Sequence, residues 1–563
     1  MSVTTDRPVI VQSDRSILLE TDGPMFEDAR DRISAFAELV KSPEHIHTYR
    51  ITPLSLWNAA SAGMTAEEIV ANLFEFSKYE VPDNVIVDIE DNVARYGRLK
   101  LYKLEDGGDL VLESDDKLLI RELLHQKTLK PFVKGSEDGC RIFVAPGDRG
   151  NVKSALIKLG FPVEDLAGYI EGAPLKFDLR DPSLGGSPFG LRKYQKESVD
   201  AFYLNGSNQG GSGVVVLPCG AGKTVVAIGS IHATQTQTLV LTTNTVALRQ
   251  WRNELLDKTT LTEDQIGEYS GDSKLIRPVT LATYQVLTYR KTKDSPFLHF
   301  SLFDDGNWGL IVYDEVHLLP APVFRATASL QARRRLGLTA TLVREDARED
   351  DVFSLIGPKK YDVPWKVLEK QGYIAEALCT EVRVPLPDEE RYQYAISDKR
   401  GKFRIASTNP VKEEICERLI EIHKEDHILI IGQYLDQLKA LAKRFDVPII
   451  TGQTPNGKRE EMYGKFRSGE CKLMIVSKVA NFAVDLPDAN IAIQVSGTFG
   501  SRQEEAQRLG RILRPKTDGS GAHFYSLVSR DTCDQDYSVK RQLFLTEQGY
   551  RYEIVNGEEV ETP

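Results

Sequence analysis

Cysteine is scarce and scattered. The 563 residues hold six, Cys140, Cys219, Cys379, Cys416, Cys471 and Cys533. None are paired as C-x-x-C, and no Cys/His cluster has metal-ligand spacing, which argues against zinc and iron–sulfur sites and for free thiols in a reducing compartment. No apolar run is long enough to span a bilayer. Met1–Asp14 is polar and lacks the apolar core of a signal peptide, so it reads as a short disordered lead-in to a cytoplasmic protein that meets no membrane. Fixed-period repeats and low-complexity tracts are missing too. So is any excess of positive charge: the net charge is −11.

The deficit is local. Residues 1–118 carry 12 Lys+Arg against 23 Asp+Glu, whereas residues 119–563 balance at 59 against 59. A neutral remainder can still form a basic groove, because local clusters create the field. The acidic segment is poorly suited to lie on phosphates and reads as an accessory domain, either protein-contacting or simply solvated.

Along the chain, residues 15–118 mix helical patterns (Met25–Val40, Thr65–Tyr79) with strand-like runs (Val85–Ile89, Leu99–Leu104). Residues 119–172 read as a compact α+β unit, with a strand at Arg141–Ala145 and a helix at Asn151–Gly160. A Gly, Pro, Asp and Ser-rich linker follows, Glu171–Gly190. From Leu191 onward, short β-branched runs alternate with helical segments: Gly213–Leu217, Thr238–Thr242, Val279–Thr283, Leu310–Tyr313 and Leu336–Leu338. The alternation pauses near 365–410 and restarts at Ile428–Ile431, Val447–Ile450, Leu473–Val476, Ile491–Val495 and Phe524–Leu527. Such alternation argues for parallel βαβ units. The expected fold class is α/β, with two doubly wound parallel-sheet domains in tandem behind small α/β N-terminal domains. The expected boundaries are 1–118, 119–188, 189–366 and 367–563. A basic insertion at 383–410 carries Lys399, Arg400, Lys402 and Arg404.

The sharpest chemical signal is Leu217-Pro-Cys-Gly-Ala-Gly-Lys223-Thr224, between a strand and a helix. Gly220, Ala221 and Gly222 let backbone N–H groups face phosphates, and the next helix points its N-terminus at the same anion. Lys223 would reach the β/γ-phosphates of ATP, and Thr224 would hold Mg²⁺. Leu217 stands where the strict motif has Gly. A second signal, Leu310-Ile-Val-Tyr-Asp314-Glu315-Val-His317, ends a strand in two carboxylates. Ligands of open α/β sheets bind at that edge. Asp314 would hold Mg²⁺, Glu315 would orient or deprotonate the attacking water, and His317 would link the site to neighbouring motifs. A third signal places Gln507, Arg511 and Arg514 on one helix face. Arginines there suit the charge on a transferring γ-phosphoryl group.

This ordered set resembles superfamily 2 helicases, and several strings resemble the XPB family in particular. They are Asp314–His317, Leu338-Thr-Ala-Thr-Leu-Val-Arg-Glu-Asp346, Val476-Ser-Lys-Val479, Asp485-Leu-Pro-Asp488, the Gln503–Arg514 helix and Phe524-Tyr-Ser-Leu-Val528. The resemblance covers about residues 190–555. It implies RecA-like motor lobes and a 3′→5′ DNA helicase or translocase acting at single-strand/duplex junctions in repair. Arg192 and Gln195 then fall in an adenine-binding segment, with Gln507 also on the nucleotide. Asn244, Gln250, Trp251, Thr283 and Tyr284 fall in segments lining the nucleic-acid track, though Trp251 reads equally as core. Thr339 and Thr341 belong to a motif coupling turnover to movement. Arg344, Glu345 and Asp346 are associated with duplex opening. Ser477, Lys478 and Asp485 bridge ribose and strand, and 383–410 takes the place of a thumb. Residues 119–172 take the place of a damage-recognition domain, and 1–118 that of a partner-docking region for a nuclease or transcription factor. Such a protein is expected in the cytoplasm, at the nucleoid. Three other readings share these motifs: a double-strand translocase that does not unwind, an ATP-gated scaffold, and an RNA helicase.

Overall fold

The structure is a computed structural model. It describes the chain apart from residues 1–5, 42–44, 105–108, 208–209, 219, 293–294, 296, 321–322, 324–333, 341–348, 364–367, 369–370, 374–376, 478–488, 498–521, 548–550 and 561–563. The chain divides into two compact units with the main break at 363/364.

The first unit opens with two small sheets. Strands β1 (Val9–Val11), β2 (Ser16–Glu20), β3 (Glu38–Lys41) and β4 (Ile46–Arg50) form the first, in the order β1-β2-β4-β3. Helices Pro53–Ser61, Ala66–Phe76 and Asp83–Arg95 follow, the first two started by capping boxes at Thr52 and Thr65. Two expectations are corrected here. Val85–Ile89 is not a strand but part of the helix Asp83–Arg95, because Val85 and Ile89, one turn apart, form its buried face. Met25–Val40 is not one helix: Phe26–Ile33 is helical, and the chain then enters β3.

The second sheet has the order β7-β8-β6-β5-β9, from β5 (Leu99–Lys103), β6 (Leu110–Glu113), β7 (Val133–Glu137), β8 (Arg141–Val144) and β9 (Val163–Asp165). The expected boundary at 118/119 is corrected by this sheet. β6 pairs with β8 and β5 with β9, so the boundary would cut through one hydrogen-bonded core.

The first lobe is a seven-stranded parallel sheet, β12-β13-β11-β14-β15-β10-β16. Its strands are β10 (Ser212–Val216), β11 (Thr238–Thr242), β12 (Ile266–Tyr269), β13 (Val279–Thr283), β14 (Leu310–Tyr313), β15 (Arg334–Thr339) and β16 (Lys359–Asp362). β10, β11, β13 and β14 are buried at every residue, as apolar β-branched runs covered on both faces must be. The Glu171–Gly190 stretch is fastened along this lobe. Backbone hydrogen bonds join Ala173 to Asn307, Leu175 to Gln235, Arg180 to Lys258 and Leu184 to Asp257. Gly172 passes so close to Gly309 that a Cβ there would lie 2.2 Å from the Gly309 nitrogen, and its φ of +76° also favours glycine.

A buried ionic cluster joins the second sheet to the lobe. Asp165, at the end of β9, accepts from Arg149 Nη2 at 2.6 Å and from Lys153 Nζ at 2.9 Å. The guanidinium groups of Arg149 and Arg335 both approach the Tyr169 ring, at 5.3 and 5.8 Å. Arg335, fully buried at the start of β15, also donates to Ser212 Oγ and to the Leu355 carbonyl. Burial pushes the Lys153 ammonium down to about 8 despite the pull of Asp165. Burial alone would raise the Asp165 carboxyl, but Arg149 and Lys153 outweigh it and hold it far below the usual range.

The second unit repeats the architecture. Its strands are β17 (Ala377–Val384), β18 (Ile428–Gly432), β19 (Ile449–Ile450), β20 (Leu473–Ser477), β21 (Ile491–Gln494), β22 (Ala522–Ser529) and β23 (Arg551–Asn556). They form a parallel sheet, β19-β20-β18-β21-β22-β17-β23. The 383–410 segment forms two helices after β17, Asp388–Ile396 and Lys399–Ser407. Buried Phe403 packs edge-on against Tyr537 of the helix Cys533–Glu547. Lys399 and Arg400 are exposed, whereas Arg404 is paired with Asp436 at 3.1 Å. No helix among the described residues is long and apolar enough to cross a membrane.

Candidate active site

Three neighbouring parallel strands of the first lobe bring the motifs to one edge. β15 lies between β14 and β10. Their carboxyl ends therefore place Thr339, the Asp314-Glu315 pair and the Gly-rich turn side by side. Gly220 and Gly222 have φ of +81° and +78°, as the turn demands. The helix Lys223–Thr234 starts directly after Gly222, with Lys223 and Thr224 in its first turn. Buried Gln195 packs against that turn: a Cβ on Gly222 would lie 2.7 Å from Gln195 Nε2. Gln195 Oε1 also accepts from the Arg192 backbone N–H at 2.9 Å, while the Arg192 side chain is exposed and reaches Tyr194 Oη at 3.3 Å.

The polar centre is a short chain of contacts. Lys223 Nζ meets Glu315 Oε1 at 2.7 Å. Glu315 Oε2 lies 3.5 Å from His317 Nδ1, and that nitrogen is 2.7 Å from Thr339 Oγ1. His317 thus bridges the carboxylate strand end and β15. Glu315 has φ of +49°, an uncommon backbone conformation for a non-glycine residue and one that clusters at functional sites. Burial raises the Glu315 carboxyl, but Lys223 and His317 outweigh it and hold it below its ordinary value. Asp314 is shifted the other way: burial and the charge of Glu315 raise it, against the Trp251 N–H and Lys223.

Lys223 pairs with Glu315, so Asp314 is a second buried carboxylate at the same strand end. With the Thr224 hydroxyl in the first turn of the helix after the Gly-rich turn, the donors carried by these segments are hard oxygens, the set that suits Mg²⁺. Asp314 and Thr224 therefore fit the ion that ATP chemistry implies.

The residues expected to line a nucleic-acid track divide. Gln250 is exposed on the helix Thr245–Lys258. Asn244 caps that helix, its side-chain oxygen accepting from Val246 and Ala247 N–H. Two expectations are corrected, those for Tyr284 and Thr283, while Trp251 takes the core alternative that its sequence leaves open. Trp251 is 2% exposed and Tyr284 4%, which leaves neither ring a face for a base. Thr283 is buried and caps the helix Tyr284–Leu287 through Oγ1. Instead, Trp251 Nε1–H donates to Asp314 Oδ2 at 3.0 Å and Tyr284 Oη–H to the Asp314 carbonyl at 2.9 Å. The sequence did carry a signal for this: Leu248, Trp251 and Leu255 recur at helical spacing and form the buried face. Ser477 is buried at the end of β20. Thr341, Arg344, Glu345, Asp346, Lys478, Asp485, Gln507, Arg511 and Arg514 lie outside the described residues.

Comparison with known proteins accords with this geometry. The "DNA 3'-5' helicase XPB" of Kineococcus radiotolerans is 55% identical over 557 residues, covering 99% of this chain and 98% of that protein. The chain belongs to the XPB helicase family. The XPB helicase of Mycobacterium tuberculosis is 52% identical, covering 99% of this chain and all of its own length. The Saccharomyces cerevisiae "General transcription and DNA repair factor IIH helicase/translocase subunit XPB/SSL2" is 33% identical, covering 98% of this chain and 72% of that one. Three family profiles match along the XPB-like chain. "ERCC3/RAD25/XPB C-terminal helicase" matches residues 368–562, "Type III restriction enzyme, res subunit" 188–344, and "Helicase conserved C-terminal domain" 9–136. The last of these spans the corrected boundary at 118/119.

Proposed function

We propose that the chain is an ATP-dependent 3′→5′ DNA helicase that opens duplex DNA at junctions during excision-type repair. The observation that carries this is the contact chain Lys223–Glu315–His317–Thr339 at one sheet edge, in a member of the XPB family.

The residues divide the work. Gly220, Gly222 and the helix N-terminus cradle phosphates. Lys223, now paired with Glu315, turns to the β/γ-phosphates when ATP enters, and Glu315 is released to orient and deprotonate water. Asp314 and Thr224 would hold Mg²⁺, which would supply charge neutralisation for the transferring phosphoryl group. Gln195, with Arg192, faces the base. His317 passes the state of Glu315 to Thr339, and so to the segment carrying Thr341 and the Arg344-Glu345-Asp346 triplet. Gln507, Arg511 and Arg514 are assigned to the nucleotide and to the charge on its transferring phosphoryl group. Gln250, Asn244, Lys478 and Asp485, with the exposed Lys399 and Arg400 of the thumb-like pair, hold the strand by its backbone without reading sequence. The N-terminal sheets take the lesion- and partner-facing roles, with a repair nuclease or transcription factor as the partner class.

The decisive experiment measures ATP hydrolysis and strand separation by wild type, Lys223→Ala and Arg511→Ala. Substrates are single-stranded, 3′-tailed, 5′-tailed and blunt DNA, with matched RNA. The expected result is DNA-stimulated turnover lost in both variants, and unwinding of 3′-tailed forks only. The match of 188–344 to a restriction-enzyme motor profile favours one second reading, a duplex translocase. Turnover stimulated by blunt duplex without strand separation would establish that instead. No stimulation by any nucleic acid would refute the motor.

A further inference from the structure

Asp314 is reached from two sides by aromatic side chains rooted in the segments expected to line the strand. Trp251 sits on the buried face of the helix Thr245–Lys258, whose N-cap is Asn244 and whose exposed face carries Gln250. Its indole N–H holds the Asp314 carboxylate at Oδ2, 3.0 Å away. Tyr284 opens the short helix after β13, and its hydroxyl holds the Asp314 carbonyl at 2.9 Å. One donor fixes the side chain and the other the peptide that carries it. Packing alone asks for neither. A phenylalanine would fill the Tyr284 position without bringing a polar hydrogen that needs a partner, and at Trp251 the indole adds to its bulk a polar N–H that burial alone does not require.

We propose that Trp251 is a positioning residue for the Asp314 carboxylate, and that with Tyr284 it ties the strand-lining elements of the first lobe to the group that would hold Mg²⁺. The proposal rests on the reading of this chain as an ATP-driven motor. The indole is rigid, with two side-chain torsions, and is packed along its length. Movement of the helix under a bound strand is therefore passed to Oδ2 rather than absorbed in rotamers. A hydrogen bond of this kind sets which oxygen lone pairs a ligating carboxylate presents, and its loss typically lowers metal affinity about 10–100-fold. The same path runs backwards: a carboxylate held by an ion resists rotation of the indole, and so stiffens the helix that carries Gln250. Coupling of strand and nucleotide within one lobe then needs no second-lobe residue.

Trp251→Phe tests this, because it keeps an aromatic ring in the core and removes the N–H; the smaller ring also lowers stability, which the melting temperature reads separately from the Mg²⁺ midpoint. The readout is equilibrium binding of a fluorescent ATP analogue to the full chain, titrated with Mg²⁺ in the presence and absence of single-stranded DNA. The expected result is a half-saturating Mg²⁺ concentration raised about tenfold. Affinity at saturating Mg²⁺ is retained, and the displacement of the Mg²⁺ curve by DNA shrinks. A core residue with no positioning role would lower the melting temperature and leave the Mg²⁺ midpoint at the wild-type value; that outcome overturns the proposal. If the variant does not fold, the wild-type protein labelled with 5-fluorotryptophan decides. Single Phe replacements of the other tryptophans assign the Trp251 fluorine signal. That signal must shift when Mg²⁺ joins bound nucleotide, while the signal of fully buried Trp308 stays. A stationary Trp251 signal overturns the proposal. Wild-type protein that binds the analogue with no Mg²⁺ dependence would sink the motor reading itself, a result distinct from a defect confined to Trp251→Phe.

Discussion

At the residue scale, the site was legible wherever backbone chemistry dictates the residue. A phosphate-facing turn needs glycines, and two carboxylates at a strand end need a cation, so Gly220, Gly222, Lys223, Asp314 and Glu315 could be read from order alone. The strand-facing residues were not, because the same side chains serve as caps and core. Thr283 ends as an N-cap, and Trp251 and Tyr284 are buried against Asp314. Helical spacing with Leu248 and Leu255 does mark the buried face of Trp251, but spacing does not show that its N–H ends on Asp314. A test follows from the ion pair of Lys223 and Glu315 at 2.7 Å. Glu315→Gln keeps the shape and removes the base. ATP binding should persist, since Lys223 is then no longer held by a carboxylate. Hydrolysis should fall by about 10²–10⁴-fold, the usual worth of a general base. Filter binding of ATP beside single-turnover hydrolysis checks it. Equal loss in both assays would show that Glu315 supports the fold of the site rather than the chemistry.

At the scale of elements, the parallel strands of both lobes were visible because strands buried on both faces become near-continuous apolar runs. The N-terminal sheets were largely missed. Their strands are short and half-exposed, as in the pattern of Val133–Glu137, and Val85–Ile89 carries β-branched residues on a helix. The misplaced boundary at 118/119 has the same root, since pairing between β6 and β8 is non-local. Nothing in the sequence around Asp165 announces the ionic cluster either, because Arg335, on β15, joins Arg149, Lys153, Asp165 and Tyr169 from far along the chain. That cluster carries the second prediction. Asp165 pairs with both Arg149 and Lys153, which are almost fully buried. Asp165→Asn removes the carboxylate charge they share, and breaking a buried ion pair typically costs about 3–5 kcal/mol. Urea unfolding of the variant should show a lower midpoint. An unchanged midpoint would mean that solvent reaches the cluster and screens it.

At the scale of the whole molecule, the acid surplus of residues 1–118 turns out to straddle two sheets, so charge was a poor guide to where a domain ends. Acid sensitivity is better read from two histidines, one in each unit. His47, on β4, is packed edge-on against Phe26. Burial, reinforced by the charge of Arg30, lowers it from 6.5 to about 4. His523, on β22, lies stacked on Tyr525 and shares a hydrogen bond with Thr380 Oγ1 at 2.8 Å. Burial, with His423 beside it, lowers it from 6.5 to about 4 as well. Both rings stay neutral in the folded chain, while the unfolded chain protonates them as the pH passes below 6.5. The stability they contribute is therefore complete above that value and drains away as the pH falls toward about 4, because there the unfolded state binds more protons. Thermal unfolding at pH 7, 6 and 5 should show a falling melting temperature. His47→Phe should flatten the slope for the first unit alone, and His523→Phe for the second alone, each at some constant cost from repacking. Slopes identical to wild type in both variants would assign the acid dependence to the carboxylates instead.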